Sequence, residues 1–469
     1  MSSVGASHSS DFMGTEPIPR LLMRFTLPAM ASSFVNCLYN VVDRLYLGHA
    51  VGPDALAGLA LTMPYMIVLA AFGVLIGQGS GALISIFLGE KKPEAANQVL
   101  GQAYAMYILF IIAIQTPALL LLDQTLNWMG ATPQALPHAR DYLQIILWGN
   151  IFQHVSFGGS NLIRAEGDSM AAMGVIVLGA VMNIILDPIF IFWMGMGIKG
   201  AAWATILAMA ISSGWVMHHF LHGSGGVRLK WKNIRLHGKI FLRVVGIGTA
   251  PCIMMCMNSI IFLFYNRSFL KYAATENEAT LAIAAYGIVG SVLMLLLMPS
   301  FGINMGVQPI LGYNTGARLY RRVAQALILA AAWATGICVA LAILCAIFAS
   351  PVCALFSNDD GLRNVSALAL RIQMWGLGFI GIGIVTGTYY QSIGRPTISI
   401  IIGFLRQGLV LLPVLIILPI FWGMDSIWWA GPVSDAMAGI LCLGLLLHEL
   451  KRLRTQELAD NGAERAVSA

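Results

Sequence analysis

Apolar residues in this chain fall into long runs, most of 20 residues or more, cut by short stretches rich in Gly, Pro and charge. A helix rises about 1.5 Å per residue, so about 20 apolar residues cross the hydrocarbon of a bilayer. Twelve runs qualify: 21–47, 55–88, 95–122, 138–163, 168–193, 199–221, 243–270, 280–311, 320–350, 366–390, 396–420 and 427–450. The pattern predicts an all-α membrane protein of twelve transmembrane helices. The first residues, MSSVGASHSSDFMGTEPIPR, are polar and carry no signal-peptide pattern, so 1–19 reads as a tail. From Glu449 the chain turns polar again, and 451–469 is expected to be a disordered tail.

The longest charged stretch, HGSGGVRLKWKNIRLHGKIFLR (222–243), separates two sets of six spans, 20–221 and 244–450. The sets match piece by piece. Pro28 followed by Asp43 and Arg44 answers Pro251 followed by Asn266 and Arg267. NLIRAEGDSMAAM (161–173) answers TYYQSIGRPTISI (388–400), with Gly167 over Gly394, and GAAWATILAMAI (200–211) answers WAGPVSDAMAGI (429–440). An even number of spans per half makes the repeats parallel, related by a pseudo-twofold axis along the membrane normal. Halves of this kind with a cavity between them are a recurring transporter plan.

Composition agrees: 58% of residues are hydrophobic and only 10% charged, against about a quarter charged in soluble domains. The net charge of +6 comes from Lys and Arg gathered at one set of span ends, including Arg20, Arg24, Lys91, Lys92, Arg164, the 222–243 stretch, Arg318, Arg321, Arg322, Arg395 and Lys451. That bias predicts that both termini are cytoplasmic, with these cations forming a solvated belt and not a nucleic-acid surface. The seven cysteines lie in or beside spans without CxxC spacing and read as small hydrophobes. His218, His219 and His222 read as a wet interfacial cluster rather than a metal site. No Walker motif and no nucleophile-and-base pairing is present, so no ATP hydrolysis, enzyme activity or organic cofactor is expected.

The informative positions are the polar ones inside spans. Asp43, Asp187 and Asp435 are the acids well inside, and intramembrane acids are expensive and usually functional. In MNIILDPIFIF (182–192), Asn183 and Asp187 are one helical turn apart and share a face. Pro188 has no N–H for the Ile184 carbonyl, which is freed. Counting along the spans puts Asp43, Asp187 and Thr205 in one layer of the outer half of the membrane. Together with Asn183 they are expected to form an oxygen-rich, doubly anionic cage suited to a hard monovalent cation, Na⁺ or H⁺. The second half is built differently: Asn266 stands where Asp43 would, and Arg406 is expected to pair with Asp435.

These residues carry a resemblance to the MATE (multidrug and toxic compound extrusion) family, on its DNA-damage-inducible and MepA-like bacterial branch. The carriers are LPAMASSFVNCLYNVVDRLYLG (27–48), RAEGDS (164–169), MNIILDPIFI (182–191), GIKGAAWAT (197–205) and QSIGRP (391–396). The resemblance implies two six-helix bundles around a V-shaped cavity, and export of cationic or amphipathic compounds against inward flow of Na⁺ or H⁺. It implies a coupling site at Asp43, Asn183, Asp187 and Thr205, with Asn161, Asn40 and Asn36 as further polar candidates. It also implies a monomer in a bacterial cytoplasmic membrane, its partners being small molecules and lipid. The alternative within the same superfamily is a flippase of lipid-linked precursors, which needs a basic cavity; only Arg406 lies deep.

Overall fold

In the computed structural model the described residues are 10–50, 53–129, 133, 135–223 and 225–468; the side chains of 40, 44, 45, 47–50, 53–57, 60 and 460–468 lie outside the described set. Twelve long helices run back and forth. In the first half they are α1 (Ile18–Ala50), α2 (Pro53–Gly89), α3 (Pro93–Leu120), α4 (Ala135–Ala165), α5 (Ser169–Trp193) and α6 (Gly197–His222). In the second half they are α7 (Gly238–Tyr272), α8 (Glu276–Gly316), α9 (Tyr320–Ile347), α10 (Asp360–Ser392), α11 (Pro396–Trp422) and α12 (Ile427–Ser468).

Eleven of the twelve are apolar enough along their length to cross a membrane. The exception is α4, which carries a row of polar side chains. Asn150, His154, Ser156, Ser160, Asn161 and Arg164 are all buried on it, facing protein rather than lipid. A second departure concerns the end of the chain. The expected disordered tail is instead a continuation of α12 to Ser468. Its residues KRLRTQELAD are mostly good helix formers, and Arg452 lies 3.4 Å from Glu449 one turn earlier.

The internal repeat is written in the backbone. Lys91 and Arg318, after α2 and α8, both adopt left-handed conformations, with φ of 56° and 58°. Gly167 and Gly394, after α4 and α10, also have positive φ, at 117° and 74°. Each pair is 227 residues apart. A positive φ strains any residue with a Cβ, so glycine at 167 and 394 lets each chain reverse tightly into the next span.

Within each half, α4 packs between α2 and α6, and α10 packs against α9 and α12. The halves meet where α1 and α2 touch α7 and α8. Glycines bring the backbones together there. A Cβ on Gly248 would stand 2.0 Å from the Leu75 carbonyl oxygen, and one on Gly316 would stand 2.1 Å from that of Ile86. Gln308 donates to the Gln78 carbonyl at 3.3 Å, and Gln391 donates to the Gln78 side chain at 3.2 Å. Near the N-terminus, the Met13 carbonyl accepts from Asn314 and Arg322, both at 3.1 Å. All of these contacts lie toward the end of the molecule that carries both termini, here called the terminal end.

The 222–243 segment is pinned to the first half at the same end. Buried Glu166 binds His219 and accepts from the Val227 amide at 3.1 Å. Arg228 donates its amide to Asn97, and His237 donates its amide to Gln102, both at 2.7 Å. Burial raises the Glu166 carboxyl above the usual carboxylate range, against the opposing pull of His219 and the Val227 amide. Arg164 departs from the expectation of a solvated belt, since only 3% of it is exposed.

Candidate cation-binding site

The helix that carries the key carboxylate starts cleanly. Asp168 caps α5 by accepting from the Ala171 amide at 2.9 Å, directly after the Gly167 turn. Four turns further on, Asn183 and Asp187 are both 0% exposed. Pro188 then interrupts the ladder, and residues Ile189–Trp193 form a π-helical turn. Gly200 lets α6 close onto this turn, since a Cβ there would come within 2.7 Å of the Phe190 backbone.

Hydrogen bonds orient the site. Asn183 Nδ2 donates to Asp187 Oδ1 at 3.2 Å and to Thr205 Oγ1 on α6 at 3.3 Å. Both amide protons are thereby used, and the remaining oxygens, Asn183 Oδ1 and Asp187 Oδ2, are buried without a hydrogen-bond donor. Asp43 on α1 is half-buried and close enough for its charge to act on Asp187. The structure therefore brings Asp43, Asn183, Asp187 and Thr205 to one place on α1, α5 and α6. Two carboxylates and two further oxygens, with acceptors left over and no lysine or arginine paired to Asp187 among the described residues, suit a hard cation or a proton.

One turn closer to the terminal end lies a cavity of about 200 Å³. Tyr39 lines it one turn before Asp43, Gly179 one turn before Asn183, and Met209 one turn after Thr205. Asn36 also lines it, while the side chain of Asn40 lies outside the described set. His154 on α4 forms part of the wall, a position the sequence reading does not single out. Asn150 lies 3.0 Å from its Nε2, and its ring stacks on Tyr107 with centroids 6.0 Å apart. The spacing of Asn150, His154 and Asn161 along one helix is the available signal for a polar face on α4. Met255 of α7 contributes from the second half.

Asn161 is a correction. It lies at the terminal end of α4, several turns from the cage, where it accepts from Arg164 Nη1 at 2.9 Å. A residue four positions from the end of α4 cannot reach a layer in the opposite half of the bundle. In the second half the structure brings Arg406 and Asp435 together, Nε donating to Oδ1 at 2.7 Å. Ser434, the residue answering Thr205 in the repeat, donates to the Arg406 carbonyl at 2.7 Å.

This geometry sits on a chain that the MatE family profile matches twice, at residues 28–189 and 250–417, well over half its length. The chain belongs to the MatE family. Similar MatE-family proteins include the multidrug export protein MepA of Staphylococcus haemolyticus (strain JCSC1435), 25% identical over 445 residues, covering 94% of this chain and 96% of that one. MepA of Staphylococcus aureus (strain MRSA252) is 25% identical over 452 residues, covering 95% and 97%. Among solved MATE structures, the multidrug transporter DinF-BH is 33% identical, covers 94% of this chain and 98% of that one, and superposes with a TM-score of 0.86. An outward-facing multidrug resistance MATE transporter of the MOP superfamily, 24% identical over 96% and 99% of the two chains, shares the fold with a TM-score of 0.88. The twelve-helix architecture is that of MATE transporters, and the chain is an integral membrane protein.

Proposed function

We propose that this MATE transporter exports cationic or amphipathic small molecules by alternating access, driven by Na⁺ or H⁺ entering through the site of Asp43, Asn183, Asp187 and Thr205. The observation that carries the reading is the pair of buried, donorless oxygens, Asn183 Oδ1 and Asp187 Oδ2, beside a second carboxylate. Buried acceptors are costly until a cation or proton reaches them. The cavity one turn below gives a substrate a place whose walls share α1, α5 and α6 with the ion site. Shared helices allow ion and substrate to favour opposite-facing states, which coupling requires. The names of the MepA and DinF-BH relatives support a multidrug substrate range. The Lys and Arg bias supports both termini on the cytoplasmic side, the bacterial MepA relatives support a bacterial cytoplasmic membrane, and the interhalf contacts at the terminal end then correspond to a carrier closed toward the cytoplasm.

The test is efflux of a fluorescent organic cation from proteoliposomes with Na⁺ and pH gradients imposed separately. One gradient should drive uphill efflux, and Asp187→Asn should leave a folded protein that does not respond to it. Normal uphill efflux by Asp187→Asn would remove the site from the mechanism.

A further inference from the structure

Arg164 is nearly fully buried in the last turn of α4, yet among the described residues it forms no ion pair. Its Nη1 donates to Asn161, but its Nε has no hydrogen-bond partner. Glu166, the nearest acid along the chain, is committed to His219 and the Val227 amide. A last-turn arginine complements the dipole of α4, but that dipole supplies no acceptor to Nε. A desolvated cation with neither counter-charge nor full hydrogen bonding is a strained arrangement for any protein.

Arg164 lines a cavity of about 10 Å³, room for one small occupant. Its walls come from both halves: Ser85 and Asn161 on α2 and α4, and Met305, Gln308 and Pro309 on α8. Gln308 spends one amide proton on the Gln78 carbonyl, and Asn161 spends one on the Phe157 carbonyl, so each amide retains a second donor. Pro309 withholds a helix hydrogen bond from the Met305 carbonyl, so a water bridging it to Nε would complete the hydrogen bonding. That water would leave the charge uncompensated, whereas a small anion answers both needs.

We propose that this cavity is an anion site, in which a chloride-sized inorganic ion held by Arg164 bridges α4 of the first half and α8 of the second. Because the walls belong to both halves, the site exists only while the terminal end is closed. An anion bound there favours that state over the one in which the halves part. The inference stands apart from the coupling site on α1, α5 and α6.

The test is the thermal unfolding midpoint of the purified transporter as chloride replaces gluconate at fixed Na⁺ and ionic strength. Gluconate is too large for the cavity. A saturable rise with chloride or bromide is expected, absent in Arg164→Gln and partly kept in Arg164→Lys. Crystals grown in bromide should show an anomalous peak between Arg164 and Gln308. A midpoint insensitive to the anion overturns the proposal, as does an equal rise in Arg164→Gln, which would assign the effect to bulk salt. If Arg164→Gln does not fold, the wild-type bromide map decides: ordered water in the cavity without an anomalous peak overturns it.

Discussion

Gly79 on α2 and Val244 on α7 meet backbone to backbone, so closely that a Cβ on Gly79 would stand 2.3 Å from the Val244 carbonyl oxygen. The two halves are closed here by the absence of side chains. Gly79→Val should therefore open the terminal end while leaving each half folded. Overpacking of this kind costs about 1–3 kcal/mol, enough to shift a two-state balance by roughly 5- to 150-fold. In a background without native cysteines, Ser85→Cys, buried in the closed state, should be labelled by maleimide many times faster when Gly79→Val is added. Equal labelling rates would show that this contact does not hold the halves together.

Asp187→Asn preserves shape and removes a charge from a fully buried position. The variant should unfold at nearly the same temperature as wild type in ion-free buffer. It should lose the rise that the coupling ion confers on the native protein, about 2.7 kcal/mol at a hundred times the dissociation constant. A titration of Na⁺, and separately of acid, against the unfolding midpoint checks this. An undiminished rise in the variant places the ion elsewhere.

The Arg406–Asp435 pair in the second half calls for a double-mutant comparison. Asp435 is buried and Arg406 is partly exposed, with side-chain exposure of 29%. Asp435→Asn strands the arginine and should cost about 2–4 kcal/mol, short of the largest losses seen for wholly buried pairs because Arg406 retains some solvent. Replacing both residues together, Arg406→Met with Asp435→Leu, should be close to neutral in stability. Equal losses in the single and double variants would mean that the pair contributes by packing alone.

Glu166 makes stability depend on pH. In the unfolded chain its carboxyl titrates at the usual 4.5, while in the folded protein burial raises it. Above 4.5 the folded state thus holds more proton than the unfolded one, and stability falls as pH rises through the folded value. The stabilisation is complete below 4.5 and is lost over the interval above it. Glu166→Gln, whose amide oxygen can still accept from the Val227 amide, should flatten that slope in a pH series of unfolding midpoints. A slope that persists unchanged belongs to other groups.

Much of this architecture is legible in the residues. Apolar run lengths locate the helices because lipid demands them, and the repeat is visible in Gly167 and Gly394, which both take a positive φ. The depth of Asp43, Asp187 and Thr205 can be counted because each lies within a few turns of a span end. Other features depend on partners remote in sequence. Arg164 reads as one more interfacial cation until α2 and α8 are seen to cover it. Likewise, the run 138–163 reads as a span, but that its polar row faces protein and not lipid is seen only in the fold. Family likeness draws Asn161 to the cage, although its place near the end of α4 already sets it at the wrong level. The helical tail escapes notice because a polar, charge-rich segment reads alike whether coiled or helical.

The wide turn at Ile189–Trp193 follows directly on Pro188 and the cage residues. A π turn is an α-helix that has swallowed one additional residue. The extra residue falls after Pro188, so the register change it makes lies on the rim side of the face that presents Asn183 and Asp187. Relatives that gain or lose a single amino acid in the loop toward α6 would rotate only the rim, and the carboxylate would keep its bearing.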